Sequence, residues 1–421
     1  MSRCLSRVLA VAVLPVLLIG LAACGKGSSG GGETSGGVKG GPGVTAKTIT
    51  LGVQTDLSGV FAALGAVITQ SNRLYWKDQN AKGGICGRQV KLIVKDHGYD
   101  PQTAVTQYRD ISPNVAALLQ VIGSPISAAL LPSWKRDNML ALLAAWPPTL
   151  LGEKPVGIIG ASYDVEAING IDWMMKHKGL KKGDKIGDLY FEGDYGEGGL
   201  VGVKYAAQKA GLQVVEQKIK ATDTDMSGQV AAFKRAGVKA LWMTVGPKQL
   251  ASAAGVAKAT GLDVPIGGNG PVFSPTLLGT AVGPTLEKNL TVFGSTAPIS
   301  YDKPAIKKAA AQYKSAYPKG TPQVAVTTGF AESELMKATL EKACKDKDLS
   351  RENIVKSFRS LSNVDTGGLL AGPLDYTQLG KPSTQEIYVA AIDKQAEGGQ
   401  KVVDGPLKSD LLNGYKGPAE Q

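Results

Sequence analysis

The chain has 421 residues, 43% hydrophobic and 20% charged, and its Lys and Arg outnumber Asp and Glu to give a formal net charge of +11. That length is too great for one hydrophobic core and suits two lobes. The basic residues are scattered among acidic ones, with no clustered stripe and interleaved aromatics, which argues against a nucleic-acid partner and leaves a weak attraction to an anionic envelope.

In chain order, Arg3 and Arg7 form a short positive region, Val8 to Leu18 is nearly continuous apolar sequence, and Leu21-Ala22-Ala23-Cys24 follows. This pattern predicts an export signal over residues 1–23, too short to span a membrane and stay there. An ordinary secretory signal cut after Ala23, or an uncleaved anchor, are the alternatives. The tetrapeptide resembles the bacterial lipobox, which implies that Cys24 is acylated and holds the protein on the extracytoplasmic face of a bacterial cell membrane. Residues 24–43 are mostly Gly and Ser without apolar periodicity. They read as a flexible tether with a reach on the order of 25 Å.

Beyond the tether, short runs rich in Val and Ile alternate with stretches of helical period, the pattern of parallel βαβ units. Strands are expected at Thr48 to Thr55, Gln89 to Lys95, Ala116 to Ile122 and Met139 to Leu143, with helices near Ala62 to Gln79, Pro101 to Ile111 and Ser127 to Arg136. A second series has strands at Lys185 to Phe191, Gln213 to Lys220, Ala240 to Thr244 and Val264 to Gly268. Its helices lie near Val165 to Lys178, Gly198 to Ala210, Ser227 to Ala236 and Lys248 to Thr260. In open parallel sheets, ligands bind beyond the carboxyl ends of the strands, so the Gly- and Pro-containing turns there are the places to inspect.

Of four cysteines, Cys4 leaves with the signal and Cys24 carries the proposed lipid, which leaves Cys86 and Cys344. Outside the cytoplasm such a pair suggests a disulfide; two buried free thiols are the alternative. His97 and His177 are the only histidines and neither stands at ligand spacing from a cysteine, so no metal and no cofactor are expected. No Gly-x-Ser-x-Gly elbow, dinucleotide fingerprint or phosphate loop is present, which makes an enzyme the weaker alternative.

Ile49-Thr50-Leu51-Gly52-Val53, Asp56-Leu57-Ser58-Gly59, Asn80-Ala81-Lys82-Gly83-Gly84-Ile85, Asp194-Tyr195-Gly196-Glu197-Gly198 and Gly372-Pro373-Leu374-Asp375-Tyr376 form a collinear set. It resembles the branched-chain amino acid type of periplasmic binding protein, the Leu/Ile/Val receptor class of ABC importers. The resemblance implies a type I periplasmic binding protein fold of class α/β, two Rossmann-like lobes with parallel sheets joined by three crossover segments. The crossovers are placed near Ile159 to Tyr163, Thr291 to Ser295 and Asp365 to Leu370. Residues 44–160 plus 295–365 then make the N-terminal lobe, 161–294 plus 366–405 the C-terminal lobe, and 406–421 a C-terminal tail. Cys344 falls in a helix of the lobe that holds Cys86.

The resemblance also nominates site residues. Ser127 matches a serine that holds the ligand's carboxylate at a helix start, where it also suits a plain N-cap. The next loop departs from the family: Ala144-Ala145-Trp146-Pro147 replaces small polar residues, removing hydroxyls and adding an aromatic face at Trp146 beside Ala145. Asn269 stands where an acidic residue usually pairs with the ligand's ammonium, and an amide cannot neutralise a desolvated cation. Tyr195 matches a cleft tyrosine, and the segment at Gly246 offers only backbone groups. These departures predict a ligand carrying a carboxylate or amide but no free ammonium, gripped between Trp146 and Tyr195, with a modified amino acid as the alternative. The expected protein is a monomer that closes its lobes on the ligand and delivers it to ABC permease and ATPase subunits. A sensor that reports to a membrane signalling partner would use the same closure.

Overall fold

The computed structural model describes residues 34, 35 and 37–421; the expected export signal and Cys24 lie outside the described residues. At the start, β1 (Thr34–Ser35) pairs antiparallel with β2 (Val38–Lys39). Lys39 then exchanges backbone hydrogen bonds with Lys347 and Leu349 of the first lobe, at 3.0 and 2.8 Å. The last residues of the expected tether are therefore docked, because their unpaired backbone groups find partners there.

The first lobe is built on β3 (Thr48–Thr55), α1 (Ala62–Ala81), β4 (Gln89–Asp96), α2 (Pro101–Ile111), β5 (Ala117–Ile122), α3 (Ser124–Asp137), β6 (Ala141–Ala144) and β7 (Val156–Ile158). Its five strands are all parallel, in the order β4-β3-β5-β6-β7. The central strands β5 and β6 are buried along their whole length, as sequences apolar but for Gln120 require of a sheet covered on both faces. The second lobe follows with α4 (Tyr163–His177), β8 (Lys185–Phe191), α5 (Asp194–Ala210), β9 (Gln213–Ile219), α6 (Ser227–Ala236), β10 (Ala240–Thr244), α7 (Pro247–Thr260), β11 (Ile266–Asn269), α8 (Gly283–Asn289) and β12 (Leu290–Gly294). The chain then returns to the first lobe for α9 (Pro304–Ala316), α10 (Val324–Lys345) and α11 (Arg351–Phe358). It ends on the second sheet with β13 (Ile387–Ile392) and β14 (Gln400–Leu407).

The second sheet runs β14-β13-β12-β11-β10-β8-β9. Strands β8 to β12 are parallel, but β13 and β14 add antiparallel at the edge, an extension that a purely parallel reading did not contain. Residues 406–421 are not a loose tail. Ser409 takes the Asn169 side chain at its backbone N–H, and the Tyr415 hydroxyl donates to Asp164 Oδ2 at 2.6 Å. Cys86 and Cys344 are disulfide-bonded, with Cα atoms 6.4 Å apart, joining the end of α10 to the turn after α1.

Three crossovers connect the lobes and lie side by side. Ala161 donates its N–H to Ser295 Oγ, Gly160 donates to Ser383 Oγ, and Ala297 and Ala371 pair with Leu369 and Ser295. Gly160 has φ +96°, and a Cβ there would stand 2.0 Å from Ser295 Oγ, so the first crossing admits only glycine. The second crossing begins at Ser295, later than expected, because Thr291 to Gly294 belong to β12.

Candidate functional site

Between the lobes lies a mainly apolar cavity. The lobes are closed on each other. Phe61 of the first lobe packs edge-on against Tyr195 of the second, with ring centroids 5.9 Å apart. Added Cβ atoms at Gly198 and Gly246 would come within 2.8 and 2.9 Å of Pro148 and Val60 across the gap. Leu64 and Ile68, four residues apart on one face of α1, line the cavity together with Val324 and Ala325 at the start of α10, and the crossover strands contribute Val292 and Ala390.

Polar groups gather where Tyr99, Ser124, Tyr163, Glu166 and Tyr195 meet. Their rings are linked, Tyr163 to Tyr195 at 4.7 Å and Phe61 to Tyr99 at 5.2 Å. Burial raises the pKa of all three tyrosines, so each phenol keeps its proton and can donate. The N-terminus of α3 points its first turn here, with Gly123 at φ +101° making the turn from β5. The Ser124 hydroxyl is buried without a hydrogen bond of good geometry to any described residue, although it lies close enough to the Tyr163 phenol to favour that group's ionised form.

Glu166 is the acid of this cluster, 2% exposed in the first turn of α4. Burial pushes its pKa up to about 8; Asn269 and the backbone amides of Gly270 and Ser295 pull the other way, and the nearby Asp164 pushes it up a little further. At neutral pH it is therefore mostly a neutral carboxylic acid. Among the described residues, no Lys, Arg or His lines the cavity.

The residues expected at the site divide. Trp146 and Tyr195 both line the cavity; the Trp146 indole donates to the Ile159 carbonyl, and Tyr195 donates to the Val245 carbonyl at 3.3 Å. Ser127 does not reach it. Helix α3 begins at Ser124, with Pro125 in its first turn, so Ser127 lies a turn inside and its hydroxyl donates back to the Gly123 carbonyl at 3.0 Å. Ser124 takes the place at the helix start. Ala145 is buried and faces away, since Ala144 and Trp146 on either side of it line the cavity. Gly246 packs toward Val60 and Phe191, and its loop braces Tyr195 through Val245 instead of lining the cavity.

Asn269 is fully buried and outside the cavity wall, its amide used up by the protein: Nδ2 donates to Glu166 Oε2 at 2.7 Å and to the Tyr163 carbonyl, and Oδ1 accepts from Thr244. The acid missing at position 269 is thus supplied by Glu166 from another element. Sequence reasoning missed it because an acidic residue in a first helical turn is what the helix dipole favours on any surface helix. The available signal was its apolar setting, Val165-Glu166-Ala167-Ile168, just after a crossover.

A family model described as periplasmic binding protein matches residues 48–400. A fatty acid ABC transporter substrate-binding protein from Thermomonospora curvata is 44% identical, with 91% of this chain and 98% of that chain covered and a TM-score of 0.89. A branched chain amino acid ABC transporter protein from Thermus thermophilus with bound valine superposes with a TM-score of 0.77 at 17% identity, covering 89% and 99% of the two chains. An ABC transporter solute binding protein from R. palustris in complex with benzoate gives 0.71 at 18% identity, covering 86% and 98%. No curated protein sequence matches. The two-lobed fold, the closed cavity and these similarities agree: the chain belongs to the periplasmic binding protein family, whose ABC-transporter members are extracytoplasmic proteins that bind small ligands.

Proposed function

We propose that this protein is the substrate-binding component of an ABC importer, lipid-anchored through Cys24 and acting as a monomer, and that its cargo is a carboxylic acid with an apolar, chain-like body. The carrying observation is the lining of the cavity: a cluster of hydroxyls and a helix N-terminus at Ser124, no cation among the described residues, and mainly aliphatic and aromatic walls in which Thr296, Thr328, Tyr388 and Gln400 are the other polar residues. A carboxylate without a cationic partner is stabilised by hydroxyls and the positive end of a helix, while its hydrocarbon gains roughly 0.8 kcal/mol per buried methylene. The relative named for fatty acid transport supports the same reading. Transport requires no bond chemistry: the lobes rotate about the crossovers, enclose the ligand and present a closed surface to the permease.

A ligand with a free ammonium is the second reading, favoured by Glu166, which if ionised would pair with it. Calorimetric titration with straight-chain carboxylic acids of increasing length, benzoate, leucine and alkylamines separates the two. Tight binding of the carboxylic acids is expected; tight leucine or alkylamine binding with the acids inert overturns the proposal.

A further inference from the structure

The hydrogen bonds behind Glu166 run in one direction. The Trp242 indole, a donor only, gives its proton to Thr244 Oγ1 at 3.2 Å. The Thr244 hydroxyl passes its own proton to Asn269 Oδ1 at 2.9 Å. That orients the Asn269 amide with its NH₂ toward α4, where Nδ2 meets Glu166 Oε2 at 2.7 Å and the Tyr163 carbonyl at 3.2 Å. The Tyr163 carbonyl can only accept, so it forbids the flipped amide independently of Thr244. Glu166 Oε2 is therefore an acceptor, which favours Oε1 for the proton of this carboxyl; Oε1 lies beside Gly294, a residue of the cavity wall.

We propose that Glu166 is the residue that selects and holds the ligand's acid group, donating the proton on Oε1 to the ligand carboxylate, so that two carboxyl groups share one proton. The inference rests on the reading of the cargo as a carboxylic acid. No covalent bond forms or breaks; the anion enters as the anion and hydrogen-bonds to a neutral acid. The charged and titratable groups around Glu166 suit this. Asp164 and Tyr163 face it from α4 and Tyr195 from α5, while β11 and the crossover after β12 present Asn269 and the amides of Gly270 and Ser295. None of these is a cation that would hold Glu166 ionised. An ammonium-bearing ligand would need the opposite protonation state, so the same residue discriminates between the two classes.

The sign of the pH dependence follows. Glu166 must be protonated to bind an anion, and burial has already raised its pKa to about 8 in the free protein. Affinity should be level below about pH 8 and fall by about tenfold per unit above it, with one proton taken up for each anion bound. Titrating the protein with decanoate from neutral pH to about pH 10, in two buffers of different ionisation enthalpy, reads both the affinity and the proton uptake without any variant. In Glu166→Gln, the amide oxygen can accept from Asn269 while its NH₂ faces the cavity. This variant should bind decanoate a few-fold more weakly than wild type at neutral pH, with a level profile and no proton uptake, and Glu166→Ala should lose more than tenfold. A level wild-type profile, or a pH dependence that survives in Glu166→Gln, overturns the role of Glu166 while leaving the carboxylic-acid reading intact. If decanoate and shorter acids fail to bind at any pH, both fall.

Discussion

A glutamate is buried in each lobe, Glu332 on α10 of the first and Glu166 on α4 of the second, and desolvation raises the pKa of both. Their surroundings differ. Glu332 Oε2 accepts from Asn72 at 3.3 Å; the same amide meets Gln120 at 2.9 Å, and Gln120 bonds Thr55 and Thr69. Glu332 Oε1 is sealed without a partner and lies outside the cavity wall. Glu166 is held on one oxygen in the same manner, but it lines the cavity. A buried carboxyl with a raised pKa is thus not by itself a site. Its place in the cavity wall decides.

That contrast can be broken in several ways. The disulfide ties the end of α10, the helix of Glu332, to the first lobe. Its reduction should lower unfolding free energy by about 4 kcal/mol in urea denaturation, while the pH profile of ligand binding stays as it was. Glu332→Ala should cost about 3 kcal/mol, because it leaves a void and takes the partner from one N–H of the Asn72 amide, with the affinity of the folded protein within a few-fold of wild type. A comparable loss of affinity would mean that the two glutamates are not separate in function.

Stability against pH sharpens the comparison on the other side. Between about pH 5 and 8 the folded state holds a proton on Glu166 that the unfolded chain, with an ordinary carboxyl, has lost. The stabilisation is present in full below the unfolded pKa and is lost as pH rises through the folded one, by at most about 1.4 kcal/mol per unit. Glu166→Gln removes that slope; a difference between variant and wild type that stays constant across the range would show Glu166 ionised in the free protein. The smallest effect belongs to Asp164, a third buried acid beside the first crossover, whose carboxylate is met by Ser162 and Tyr415. Tyr415→Phe should cost about 1 kcal/mol in the same denaturation measurement.

Much of the fold was legible in sequence, since apolar alternation and helical period depend on local burial that neighbouring residues share. Helix starts were less so. Asp194-Tyr195-Gly196 and Ser124-Pro125 open α5 and α3 earlier than apolar periodicity suggested, because Gly, Ser and Pro at a first turn carry little hydrophobic signal. Ser127 was nominated by the family resemblance, and the helix start at Ser124 puts it one turn inside α3. The antiparallel pair β13 and β14 escaped altogether: no strand was expected beyond Gly268, and their pairing joins them to a strand about a hundred residues earlier, which no local pattern signals.

The sequence by itself determined an α/β chain of two series of βαβ units and an aromatic Trp146 in the loop after β6, since each is a property of contiguous residues. Only the tertiary structure decided where the acid of the site comes from. Trp242 and Thr244 lie on β10, Asn269 on β11 and Glu166 on α4, and no local pattern connects them. Parallel pairing of β10 with β11, and the turn at Gly160 that sets α4 against them, bring these groups within hydrogen-bonding distance and fix Glu166 Oε2 as an acceptor.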